Sequence, residues 1–131
     1  MISWLEKNRR VSWIITIIIF GLIFYISSLS FPPTIVGPAT ITSAAYHIGI
    51  FFLLAIFFFI SVLNREWNWK KIILSILIVS IYAVLDEFHQ FFVPGRFCST
   101  NDFLLDFTGI IFASLLYFIL IEKRRNNYNL I

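Results

Sequence analysis

Four apolar runs, each about 20 residues long and so of membrane-spanning length, follow one another along the chain, separated by basic, polar or proline-containing stretches. The first extends from about Val11 to Leu29, the second from about Ser43 to Leu63, the third from about Ile72 to Phe92 and the fourth from about Phe103 to Ile121. Since ~20 helical residues cross ~30 Å of hydrocarbon, each run is long enough to span a bilayer. The runs are too continuous for barrel strands of ~10 alternating residues. Backbone groups in lipid must be satisfied within the protein, which leaves helices. The pattern predicts an all-α integral membrane bundle of four transmembrane helices in a single domain, 1–131. The third and fourth helices form a tight hairpin in this reading.

Composition agrees with that class. Of 131 residues, 60% are hydrophobic and 13% charged, and mean hydropathy is +0.89. A soluble domain carries about a quarter charged residues, and a chain this short cannot hide so much apolar surface from water.

Basic residues set the expected orientation. Lys7, Arg9 and Arg10 precede the first run, Arg65, Lys70 and Lys71 fall between the second and third, and Lys123, Arg124 and Arg125 follow the fourth. Arg96 alone remains for the other side. Positive charge stays cytoplasmic, so both termini and the 64–71 loop are expected inside, with the 30–42 and 93–101 loops outside. Trp4, Trp13, Trp67 and Trp69 all fall at the inner interface, where aromatic rings anchor. Topology and attraction to the inner leaflet account for the net charge of +3, which therefore does not argue for nucleic acid. The apolar part of the first run outlasts the usual 7–15 residues of a signal core and no Ala-x-Ala site follows, so a retained first span is expected. A single cysteine, Cys98, leaves no partner for an internal disulfide.

The candidate chemistry is concentrated between Asp86 and Asp106: Asp86, Glu87, His89 and Gln90, then Val93-Pro94-Gly95-Arg96, then Ser99, Thr100, Asn101, Asp102 and Asp106. Ionisable groups near hydrocarbon cost several kcal/mol unless paired or hydrated, and by default mark a functional site. Asp86 lies roughly 20 Å from the inner boundary at 1.5 Å per residue, Asp106 about one turn below the outer end of its span, and His47 at a matching level. The polar groups thus collect in the outer leaflet, and the inner two-thirds is expected to be apolar. At 100° per residue, Tyr82, Asp86, His89 and Gln90 share an arc with Glu87 at its edge. Asp102, Asp106, Gly109 and Ala113 form one stripe, whose small residues allow close helix approach. Pro94-Gly95 fits a type II turn. Asp86 and Glu87 are then expected near Asp102 and Asp106.

Several roles remain open for these side chains. Arg96 either pairs with Asp102 or Glu87, or presents a fork to an anionic headgroup. Ser99 and Thr100 read equally as helix caps. Asp86, Glu87 and Asp106 are candidates for general acid/base work, where one protonated and one ionised carboxyl cooperate. With His47 or His89 the carboxylates also have the donors of an O/N metal site, but two isolated histidines lack the tight spacing usual in zinc sites, so no metal or other cofactor is assigned.

The run Tyr82-Ala83-Val84-Leu85-Asp86-Glu87-Phe88-His89-Gln90-Phe91-Phe92-Val93-Pro94-Gly95-Arg96, followed by Ser99, Asp102, Asp106 and Gly109, resembles the signature of the VanZ-like membrane proteins. His47 near the start of the second span also fits. Where the family often has an acidic or polar residue and a lysine four and three positions earlier, this chain has Ser43 and Ala44, so a role for that lysine does not carry over. The resemblance implies a small multi-span protein of the cell envelope, in a family whose name-giving members are associated with teicoplanin resistance.

Three functions stay open at this point. One is an outer-leaflet pocket recognising a lipid or lipid-linked envelope component, with His47, Asp86, Glu87, His89, Gln90, Arg96, Ser99, Asp102 and Asp106 as its binding groups. Another is an intramembrane enzyme acting on a lipid by acid/base or metal-assisted chemistry. The third is a structural protein whose polar cluster only locks the hairpin, with a protein partner in the membrane. A transporter fits less well, because the inner halves of the spans offer no polar stepping stones. The expected location is the plasma membrane.

Overall fold

The computed structural model describes residues 2–30, 41–64, 66–96 and 99–128, with side chains up to Lys123. The expectations for Cys98, for Arg65, for most of the 30–42 loop and for the side chains of Arg124 and Arg125 fall outside the described residues. The elements are α1 (Ile2–Lys7), α2 (Arg9–Ser27), α3 (Ile41–Leu63), α4 (Trp69–Phe91) and α5 (Thr100–Tyr128). Among them, α2, α3, α4 and the Thr100–Lys123 part of α5 are long and apolar enough to cross a membrane. Each lies within a few residues of an expected run.

Local chemistry sets the ends of these helices. Asn64 leaves α3 in the left-handed region at φ 44°, the conformation that commonly closes a helix. Asn68 opens α4, its side-chain oxygen accepting from the amides of Lys70 and Lys71 at 3.1 and 3.2 Å. Past α4, the Arg96 amide donates to the Val93 carbonyl at 3.0 Å around a Gly95 with φ 80°. That is the type II turn expected of Pro94-Gly95. Ser99 then caps α5, its hydroxyl accepting from the Asp102 amide at 3.4 Å.

The centre of the bundle is α3, which touches every other helix and supplies half of the buried aromatic and aliphatic side chains, Phe51, Leu54, Phe58 and Phe59 among them. The surrounding helices are two-faced. Ile14, Ile17, Ile18 and Leu22 on α2 and Leu77, Ile81 and Leu85 on α4 are exposed, at the helical spacing that turns one stripe towards lipid. Since lipid is as apolar as these side chains, helices associate in it through close packing and hydrogen bonds.

The closest packing is between α3 and α5. A Cβ built on Gly109 would sit 2.3 Å from the Ile48 carbonyl oxygen and 3.0 Å from the Phe52 amide nitrogen. The small-residue stripe of α5 therefore faces α3, a partner that the sequence left unnamed. Hairpin geometry does hold, since α4 and α5 are consecutive, antiparallel and in contact.

Two features at the opposite end of the bundle depart from expectation. A short helix, α1, precedes the first span and buries Leu5 and Glu6. It is tied down by Ser12 Oγ donating to the Leu5 carbonyl at 2.7 Å and by Tyr117 donating to Glu6 at 3.4 Å. Nor is that half of the bundle uniformly apolar. Thr16 and Ser61 hydroxyls meet at 3.1 Å between α2 and α3, and Arg9 reaches the Ser61 carbonyl at 3.2 Å. Small hydroxyl residues are easily passed over inside apolar runs because each can bond its own helix. Thr16 does so to Ser12 at 2.8 Å and Ser61 to Phe57 at 2.8 Å.

Candidate functional site

Three helices deliver polar side chains to the end of the bundle that carries Pro94. His47 lies in the second turn of α3, Asp86, Glu87 and Gln90 in the last two turns of α4, and Asp106 in the second turn of α5. All five are buried, Asp106 completely. Position four apart along α4 stacks Asp86 and Gln90 on one face, and the Gln90 amide donates to Asp86 Oδ2 at 2.9 Å. Ser27, at the last turn of α2, is a further hydrogen-bonding neighbour of Asp86.

His47 Nδ1 and Asp106 Oδ1 are 2.8 Å apart. An ionised carboxylate only accepts, so Nδ1 carries the hydrogen of this bond and Nε2 is the other ring nitrogen. Gly109, one turn further along α5, allows the close backbone approach that makes so short a contact possible. Beside this pair, Glu87 Oε2 accepts from the Ser99 amide at 2.9 Å. Ser99 thus caps α5 and also holds an acid of α4, which couples the turn to the site.

Each of the three acids has one oxygen bonded and one left over. Asp86 Oδ1, Glu87 Oε1 and Asp106 Oδ2 are buried without a hydrogen-bond partner among the described residues. Leaving such a group unsatisfied costs about 1–3 kcal/mol, and more when it is charged. His47, Glu87 and Asp106 also approach as a set, each offering a ligand atom within 4.8 Å of the others. Sequence spacing discouraged a metal assignment here. The fold removes that objection by drawing one ligand from each of three helices.

Other expected residues lie around this centre, engaged with α2. His89 stacks on Phe24 at 4.6 Å between ring centres, and its Nε2 meets the Ser28 hydroxyl at 2.9 Å. Arg96 donates to the Ile26 carbonyl at 2.8 Å and the Leu29 carbonyl at 3.2 Å. Cations at a helix C-terminus satisfy its last carbonyls and complement its dipole, so Arg96 closes α2. Asp102 is half-buried in the first turn of α5, within electrostatic reach of Glu87, Asp106 and His47.

Two tyrosines complete the surroundings. Tyr82 donates to the Phe20 carbonyl at 2.8 Å, a further tie between α4 and α2. Tyr46 stands edge-on to the His47 ring at 5.6 Å and within electrostatic reach of Asp86, Asp106 and Arg96. It was absent from the expected set, and its position next to His47 was the one signal available. An apolar cleft of about 210 Å³ lies elsewhere, among Phe59, Leu63, Ile72, Ile111 and Tyr117. It shares no residue with the polar cluster.

Neither a curated protein nor a solved structure matches the chain. The model of one family, VanZ/LLP1, matches residues 5–121, a stretch that takes in the whole polar cluster, the first three spanning segments and all but the last two residues of the fourth. The chain belongs to the VanZ/LLP1 family of membrane proteins.

Proposed function

We propose that this protein recognises a polar group of a membrane lipid or lipid-linked envelope component through the carboxylate-lined cluster at the Pro94 end of its bundle. The observation that carries this reading is the set of buried, unpartnered oxygens on Asp86, Glu87 and Asp106. A ligand bringing hydroxyl or amine hydrogens, or a cation, would satisfy them, whereas the bundle alone does not. The lysine and arginine distribution supports a plasma-membrane protein with both termini cytoplasmic. In that orientation the cluster lies at the level of the outer leaflet, where envelope precursors bearing sugars or peptides are exposed. A contribution to teicoplanin-type glycopeptide resistance is part of the proposal.

Mass spectrometry of lipids retained by the detergent-purified protein tests it, wild type against Asp86→Asn. A stoichiometric lipid lost in the variant is expected. Equal retention of bulk lipid by both proteins contradicts the reading. For the resistance role, deletion of the gene should lower the teicoplanin concentration that stops growth, and an unchanged value removes that part.

A second reading, acid/base or metal-assisted chemistry on a lipid, is favoured by the His47–Asp106 bond with Glu87 alongside. Cells expressing wild type but not Asp106→Asn would then show a chemically altered lipid rather than a retained one. The structural reading is favoured by the ties of Tyr82, His89 and Arg96 to α2, which give those three residues a role in helix locking. It leaves the carboxylate oxygens unexplained.

A further inference from the structure

We propose that His47, Glu87 and Asp106 form a binding site for one divalent transition-metal cation, with zinc the ion their donors fit best. Each ligand comes from a different helix, α3, α4 and α5, the arrangement by which helix bundles build metal sites in their cores.

The spacing is right for a shared ion. Two ligand atoms on a tetrahedral zinc ion, each at about 2.0–2.2 Å, stand roughly 3.4 Å apart. The three ligand atoms here lie within 4.8 Å of one another, so side-chain rotations that move them by about 1 Å bring them onto one centre. One imidazole nitrogen with two carboxylate oxygens is a borderline set that suits zinc or manganese better than magnesium, which prefers oxygen and retained water. Three protein ligands also leave a coordination position for water or substrate, as catalytic zinc sites do.

A second observation is independent of the clustering. Glu87 Oε1 and Asp106 Oδ2 are buried and unpartnered, while the sister oxygens are held by the Ser99 amide and by His47. The Ser99–Glu87 bond resembles the outer contacts that orient metal ligands, whereas His47 Nδ1, 2.8 Å from Asp106 Oδ1, gives up its hydrogen to bind the ion, leaving the ring hydrogen on Nε2. With Asp86 nearby, the site gathers three acids around one imidazole in an apolar bundle, and a divalent cation offsets that excess of negative charge.

This proposal shares the oxygens of Glu87 and Asp106 with the lipid reading, so the two are tested separately. Lipid retention is read on Asp86→Asn. Metal binding is read on full-length protein without a polyhistidine tag, delipidated, stripped with chelator and dialysed against Zn²⁺ at micromolar concentration. One Zn²⁺ per chain is expected in the wild type and in Glu66→Gln, a surface acid far from the site. Glu87→Gln and Asp106→Asn should bind at least about tenfold more weakly, the lower end of what even an outer contact contributes. Absence of wild-type binding overturns the proposal, and so does undiminished binding in both site variants.

Should the variants fail to fold, histidine-selective NMR on the wild type decides instead. The chain has two histidines, and Zn²⁺ should shift the ring signals of His47 alone. A Zn²⁺-induced shift confined to His89, or none, overturns the site.

Discussion

His47 and Asp106 are joined across α3 and α5 by a 2.8 Å bond between Nδ1 and Oδ1, one helical turn from the point where Gly109 lets the two backbones come together. A polar pair and a close-packing site therefore act on the same helix interface. A double-mutant cycle with His47→Gln and Asp106→Asn should give a coupling of about 0.5–3 kcal/mol in thermal or denaturant unfolding, the range for residues in direct contact. Additive effects would mean that the bond contributes nothing to the folded state.

Gly109→Ala should destabilise the bundle by several kcal/mol, because the new methyl would lie 2.3 Å from a backbone oxygen that cannot move without its helix. Overpacking of this kind costs about 1–3 kcal/mol even where side chains can yield. Gly21→Ala and Gly49→Ala meet nothing within 4 Å and should be neutral or slightly stabilising, given the better helix propensity of alanine. Melting temperatures of the three variants check the contrast.

The four spans were legible because a membrane helix is a one-dimensional signal: length and apolarity suffice. The arc of Tyr82, Asp86, His89 and Gln90, with Glu87 at its edge, follows from 3.6-residue periodicity within one helix, but of these Asp86, Glu87 and Gln90 are buried while His89 and Tyr82 turn to α2. The Pro94-Gly95 turn and the Ser99 cap were legible for the same local reason. Partner choice was not. Nothing near Gly109 in sequence says that it meets Ile48, and nothing near Arg96 says that it reaches the end of α2. The meeting of His47 with Asp106 and Glu87 depends on three helices arriving at one depth and rotation. Glu6 shows the limit from the other side, since its burial rests on a short helix too brief to leave a periodic pattern.

Arg96→Gln should loosen the end of α2, since its guanidinium donates to the Ile26 and Leu29 carbonyls. The expected loss is about 1 kcal/mol, typical of a cation at a helix C-terminus. Hydrogen exchange should accelerate at the amides of Ser28 and Leu29, which bond within that last turn. Unchanged exchange there would assign the residue to headgroups instead.

Glu66, outside the spans, is exposed and paired with Lys71. The hydrogen bond from Lys71, and then its charge, hold the Glu66 carboxyl below its ordinary value. A carboxyl lowered in the folded state contributes stability above its unfolded pKa, and that contribution is lost as pH falls through the folded value. For so exposed a pair the contribution is small. Lys71→Gln should return Glu66 to an ordinary titration in NMR while the melting temperature near neutral pH stays the same. A marked fall in melting temperature would show that the pair holds the 64–68 connection together.

The central claim is that the buried carboxylates serve a ligand rather than the fold, and the melting temperature of delipidated, metal-free Asp86→Asn measures that most directly. Asn keeps the shape and one oxygen for the Ser27 and Gln90 contacts, while removing a charged oxygen that the fold leaves unpartnered. Groups placed for function rather than packing commonly reduce stability. The variant should therefore melt at the wild-type temperature or above it. A melting temperature lowered by several degrees would contradict the account and make Asp86 a lock between helices.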